Sequence, residues 1–260
     1  EFQYILDNEV LHRLAARFPS RPETRVVRAT VAGIPEVQAE ETLRPWYNRP
    51  GVAVSILPSL GVLKITFTIT SVAAVEAERL QNEARLALAE GLGINLVSLD
   101  GASLPEVLGR TLLEKGATLA VAESCTGGLV AQKVVSAAGA SRYFLGSITA
   151  YANDAKQKLL GVSEETLQKH GAVSPETALA MARGARARFL ASWAVATTGI
   201  AGPTGGTPEK PVGTVWIGVA GPGVEKSFKI YFPMDRESMM ELSANYALFY
   251  LWRAVKGDSL

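Results

Sequence analysis

Hydrophobic positions recur along this chain with two periods. Residues 1–19 place Ile5, Leu6, Val10, Leu11, Leu14 and Phe18 at helical spacing, and Pro19 ends the run. RVVRATVAG (25–33) reads as a strand, and PEVQAEETLRPWYN (35–48) as a helix with Pro35 in its first turn. Residues 52–70 form a hairpin pattern turning near Pro58–Gly61. Its second arm alternates Leu63, Ile65, Phe67 and Ile69. A helix from about Val72 to Glu90, stopped by Gly91 and Gly93, leads into a last strand, INLVSL. The order βαββα(β) implies a small α+β domain over residues 1–100, with helices on one face of its sheet.

After LDGASL the pattern changes. A helix at 104–116, a buried strand ATLAVAE, a turn ESCTGG (123–128) and a helix LVAQKVVSAAG follow one another. SITAYAND contains a strand, DAKQKLLG a short helix, and SPETALAMARGARARF another helix. SWAVATT is a strand that opens into a Gly/Pro loop, TVWIGVAG and EKSFKIYF pair as strands, and DRESMMELSANYALFYLWRAV closes the pattern as a helix. This alternation implies an α/β fold, a three-layer α/β/α sandwich over residues 101–260. Ligands in such folds lie at strand-to-loop junctions. Glycine usage agrees: 5 of the 24 glycines fall in residues 1–100 and 19 in the rest.

Composition removes several function classes. The single cysteine, Cys125, rules out an intrachain disulfide. There is no signal-peptide pattern and no apolar run near bilayer length, so the expectation is a cytoplasmic protein with no membrane contact. His12 and His170 are far apart and lack acid or thiol clusters, so no metal and no cofactor are expected, and a histidine base could be only His170. Residues 1–100 carry 10 Lys/Arg against 12 Asp/Glu, and they contain neither a GxxG loop nor an aromatic RNP-like strand. Nucleic acid is therefore not an expected partner.

Three segments could carry chemistry. In ESCTGG, Ser124 would project from a sharp turn, and the amides of Thr126, Gly127 and Gly128 would face an oxyanion or phosphate at the next helix N-terminus. The same residues also suit a plain Gly-rich turn with a capping Ser or Thr. In AYANDAKQKLLG, Tyr151 and Lys156 stand out. If Asn153 caps the short helix, Lys156 falls in its first turn, where a cation is disfavoured, but a useful base also needs burial. A solvated helix lysine is the plain alternative. TTGIAGPTGG, with Gly199 and Gly202, could bring amides to an anion or flat ring, or only turn the chain. Arg236 could hold a phosphate or cap a helix. Cys125 is a second possible nucleophile, with only the distant His170 to activate it; a small buried residue is the plain reading.

AESCTGG, TAYANDAKQKLLGV, HGAVS and TTGIAGPTGGTPEKPVGTVWIG, in that order and spacing, closely resemble the C-terminal domain of the CinA family. The resemblance covers roughly residues 104–256. It implies a PncC-type amidase that deamidates nicotinamide mononucleotide, giving the acid mononucleotide and ammonia. It further implies Ser124 as nucleophile, Lys156 as its base, Tyr151 in support, and Thr198 and Arg236 in activity or substrate binding. Residues 1–100 resemble the linking domain of long CinA proteins. The molybdopterin-binding-like domain of those proteins has no counterpart in these residues, so the chain resembles a fragment and the associated pyrophosphatase activity is not carried over. The family resemblance and the apolar last helix (Met239, Met240, Leu242, Tyr246, Leu248, Phe249, Leu251, Trp252) lead to a homodimer as the expected assembly. The competing reading is a non-catalytic dimerisation or recruitment module in competence or DNA-damage responses.

Overall fold

A computed structural model describes residues 2–17 and 22–259. The first apolar run is helical, as α1 (Phe2–Ile5), a π-helical turn (Leu6–Val10) and α2 (Leu11–Arg17). None of its described side chains is buried, and its expected end at Phe18 and Pro19 lies outside the described residues.

β1 (Glu23–Ala32), α3 (Glu36–Leu43), β2 (Val52–Ser59), β3 (Val62–Ser71), α4 (Ala74–Leu92) and β4 (Leu96–Ser98) build an antiparallel sheet in the order β2-β3-β1-β4. Val27, Ala29 and Val31 of β1 face the same core as Leu63, Ile65, Phe67 and Ile69 of β3. They pack on the Ala77, Leu80, Ala84, Leu88 and Leu92 stripe of α4, which repeats at helical spacing. The helix expected to run to residue 48 leaves α-geometry at Arg44–Trp46, where Pro45 has no amide to give. The β2–β3 hairpin turns on two residues, Leu60 (φ 27°) and Gly61 (φ 85°), since a tight hairpin needs positive φ at both.

α5 (Leu104–Glu114), β5 (Leu119–Glu123), α6 (Leu129–Ser136), β6 (Phe144–Thr149), α7 (Asn153–Leu160), α8 (Glu164–His170), α9 (Pro175–Phe189), β7 (Trp193–Gly199), β8 (Thr214–Gly221), β9 (Val224–Tyr231) and α10 (Arg236–Lys256) form the larger unit. Its sheet runs β6-β5-β7-β8-β9, with β5 parallel to both neighbours and the last two strands antiparallel. The two sheet faces differ in size. Leu119, Val121, Val195, Ile217 and Val219 meet α5, α6 and α10, whereas Ala120, Ala122, Ala194, Ala196 and Ala220 meet α7, α8 and α9. The architecture is the expected α/β/α sandwich preceded by a small α+β sheet.

Of the α10 residues that led to a homodimer as the expected assembly, Met240 and Tyr246 are half-buried. Met239, Leu242, Leu248, Phe249, Leu251 and Trp252 are all buried within the chain. The far side of α10 also meets the small sheet: the Phe249 ring lies where a Cβ on Gly33 would stand, and Asn245 Nδ2 donates to the Leu60 carbonyl at 2.9 Å. No helix among the described residues is long and apolar enough to cross a membrane.

Candidate active site

Three parallel strands end side by side, and each hands over one part of the site. β5 stops at Glu123 and is followed by Ser124, β6 is followed by Ala150 and Tyr151, and β7 carries Thr198 near its end. The chain leaves β5 through α6 on one face of the sheet and leaves β6 through α7–α9 on the other. That reversal opens a crevice at the strand ends.

Lys156 sits in the first turns of α7, its amide bonded to the Ala152 carbonyl. Ala152 rather than Asn153 is the residue preceding the helix, one position earlier than expected. Lys156 is 1% exposed. Its Nζ lies 3.1 Å from Ser124 Oγ, 3.0 Å from the Ala150 carbonyl and 2.8 Å from the Tyr151 carbonyl. Among the described residues no carboxylate bonds to it. Burial holds the Lys156 pKa below the usual lysine range, because desolvation penalises the ammonium form. A neutral amine has two N–H donors and one lone pair. The two carbonyls match the donors, which leaves the lone pair for the Ser124 hydroxyl.

Ser124 is held on a turn built by its neighbour. Glu123 is fully buried, and its carboxylate accepts from the Thr126 hydroxyl (2.6 Å) and from the amides of Gly128 (3.0 Å), Val130 (3.0 Å) and Ala131 (2.9 Å). It folds back over the N-terminus of α6 and neutralises the positive end of that helix. Two of the three expected anion-binding amides are therefore occupied, Gly128 donating to Glu123 and Gly127 to the Ser124 carbonyl, and the Thr126 amide is the third. The Thr126 hydroxyl is likewise engaged, with Glu123 and Thr197. Among the described residues no backbone acceptor bonds the amide of Thr126, and the Cys125 amide meets only its own thiol, on the nucleophile's own turn. Sequence reading passed over Glu123. The available signal was an acid ending an otherwise apolar buried strand.

The other expected residues divide. Tyr151 is 61% exposed, and its hydroxyl accepts from Arg236 at 3.1 Å. Arg236 also donates to the Gly202 carbonyl at 2.9 Å, so it ties the Gly/Pro loop to the end of β6. Thr198 donates to the Ala172 carbonyl at 2.6 Å. Ser124, Tyr151, Lys156, Thr198, Gly199 and Arg236 share one cavity of about 210 Å³. Gly199 and Gly202 answer to packing: a Cβ would come within 2.4 Å of Val215 at Gly199 and 2.6 Å of Val212 at Gly202. Burial pushes the Cys125 thiol up to about 12, so it is no thiolate nucleophile. His170 pairs with Glu176 outside this cavity. Among the described residues no group of three or more His, Cys, Asp or Glu side chains is placed to hold a metal ion.

Comparison with known proteins gives consistent relatives. Residues 101–255 match the family model described as the CinA C-terminal domain. The chain is 39% identical over 259 residues to a CinA-like protein of Syntrophomonas wolfei, covering 98% of this chain and 62% of that protein. It is 38% identical to a putative competence-damage inducible protein of Moorella thermoacetica, covering 99% of this chain and 62% of the relative. The chain thus spans less than two thirds of the length of either. A CinA superfamily protein of Klebsiella pneumoniae has a similar structure, with a TM-score of 0.57 at 31% identity, covering 59% of this chain and 96% of that one. The competence/damage inducible protein CihA of Agrobacterium tumefaciens gives 0.54 at 39% identity, covering 60% and 97%. With more than half of its length inside the family model, this chain belongs to the CinA family.

Proposed function

We propose that this protein is an amidohydrolase that converts nicotinamide mononucleotide to nicotinate mononucleotide and ammonia through a Ser124–Lys156 pair. One observation carries the reading: a buried lysine with no carboxylate partner among the described residues lies 3.1 Å from a serine hydroxyl. A lysine near the ordinary pKa of ~10.4 is neutral in roughly one molecule per few thousand at pH 7, and burial raises that fraction.

Lys156 Nζ takes the hydroxyl proton as Ser124 Oγ bonds to the carboxamide carbon, and the carbonyl oxygen becomes an oxyanion. The amides of Cys125 and Thr126, on the turn that carries the nucleophile, are the donors assigned to it. When the C–N bond breaks, the Lys156 ammonium passes its proton to the departing nitrogen, which leaves as ammonia. Water then attacks the acyl-enzyme. One of its protons goes to Lys156 and returns to Ser124 Oγ as the ester C–O bond breaks, and the acid that leaves gives its remaining proton to solvent. Arg236 is the cation available to a substrate phosphate. A purely non-catalytic module would leave the buried cost of Lys156 without a purpose.

The deciding measurement is ammonia release from nicotinamide mononucleotide. Ser124→Ala should abolish it and Cys125→Ala should keep most of it. The reverse order would move the chemistry to the thiol.

A further inference from the structure

We infer that Leu60, at the hairpin tip of the small sheet, is a wall of the substrate pocket and sets what fits beyond the reacting amide; this rests on the reading of Ser124 and Lys156 given above. The cavity around those two residues is about 210 Å³. Pockets that enclose drug-sized ligands run about 300–1,000 Å³, so a nucleotide cannot be held there whole. Arg236 lines this cavity and also a second hollow of about 810 Å³. A substrate whose carboxamide reaches Ser124 therefore carries its remainder past Arg236 into that hollow.

The hollow is bounded by Gly127 and Leu129 from the nucleophile turn and α6, by Met240 from α10, and by Leu60 from the other sheet. Leu60 is fastened there. It holds φ 27°, a backbone region costly for a residue with a side chain. Its carbonyl accepts from Asn245, and the Gly61 carbonyl accepts from the Gly33 amide at 3.1 Å. A Cβ on Gly61 would come within 3.0 Å of the Tyr246 ring, so the turn lies flat on α10. Leu60, Leu129 and Met240 present apolar surface, while Glu237 and Glu241 line the same hollow. The sugar, the uncharged part beyond the ring, rests on the Leu60 side, and the anionic group is held at Arg236.

Leu60→Gly is the informative variant, because glycine adopts positive φ without cost and keeps the turn. KM for nicotinamide mononucleotide should rise about tenfold, in the range for losing one small apolar contact, with kcat within roughly twofold. The half-buried Leu60 side chain also packs against the core under α10, so the melting temperature should fall slightly while kcat holds. An unchanged KM, or a loss confined to kcat, overturns the proposal. Calorimetric binding of the nucleotide to Ser124→Ala protein, with and without Leu60→Gly, separates this wall from the chemistry. Weaker binding in the double variant supports the wall even if the unmodified protein releases no ammonia, which would sink the amidase alone. Equal binding rejects the wall. Absence of nucleotide binding to the Ser124→Ala protein rejects both.

Discussion

At the scale of residues, the site depends on two buried ionisable groups that meet opposite treatment. Lys156 is held below the usual lysine range by desolvation, although three oxygens lie within reach of its Nζ, while the Glu123 carboxylate accepts from three amides and a hydroxyl. If Lys156 is the base, Lys156→Ala should lower kcat by about 10²–10⁴-fold. Lys156→Arg should fail equally, since a guanidinium keeps its proton. An active arginine variant would leave Ser124 without a base. The lowered lysine pKa fixes the sign of the pH profile: the neutral, working form is populated above that pKa, so kcat/KM should rise with pH through a midpoint below 10.5. A flat profile would contradict it. Glu123→Gln turns an NH₂ toward at least one of the donors now bonded to the carboxylate. It should cost about 1–3 kcal/mol in denaturant unfolding and lower kcat through the displaced turn. Unchanged stability and rate would remove Glu123 from this role. Ser124, Tyr151, Lys156, Thr198 and Arg236 were legible as candidates because their short motifs survive in one dimension. The direction of the Gly128 amide was not, because it depends on Glu123 reaching amides five to eight residues further along the chain.

Elements were legible where one period ran unbroken. β3 alternates cleanly and α4 repeats its stripe, and both lie within two residues of expectation. α8 was missed because it is only seven residues long and buries one side chain, Leu167; the Ser163 hydroxyl accepting from the Thr166 amide was its local signal. The small residues of β5, β7 and α9 read only as apolar, yet they set how closely α9 approaches. A Cβ on Gly218 would stand 2.2 Å from the Ala178 carbonyl oxygen, and one on Gly184 would stand 1.9 Å from that of Leu160. Gly218→Ala should therefore destabilise by about 1–3 kcal/mol or more, since backbone has to move. Leu119→Met, on the opposite face, should cost less than about 1.5 kcal/mol. Equal losses in urea titrations would refute this asymmetry between the two faces.

In the molecule as a whole, α10 belongs to two neighbours at once. Its apolar excess was plain in the sequence, but a one-dimensional pattern does not say whether a second copy or another part of the same chain covers it. Phe249 over Gly33, Tyr246 over Gly61 and Asn245 on Leu60 join the small sheet to the helix, and Ala32 and Val97 enter the core that α10 shares with α5. Heating should therefore give one cooperative transition that removes both sheets together, followed by calorimetry and by near-ultraviolet dichroism. Two separated transitions would show that the sheets hold independently. The short connection between β4 and α5 then carries little of the burden of keeping the halves in place. A protease that nicked the chain at the exposed Asp100–Gly101 bond would leave two peptides that still travel as one particle through a sizing column and part only in denaturant.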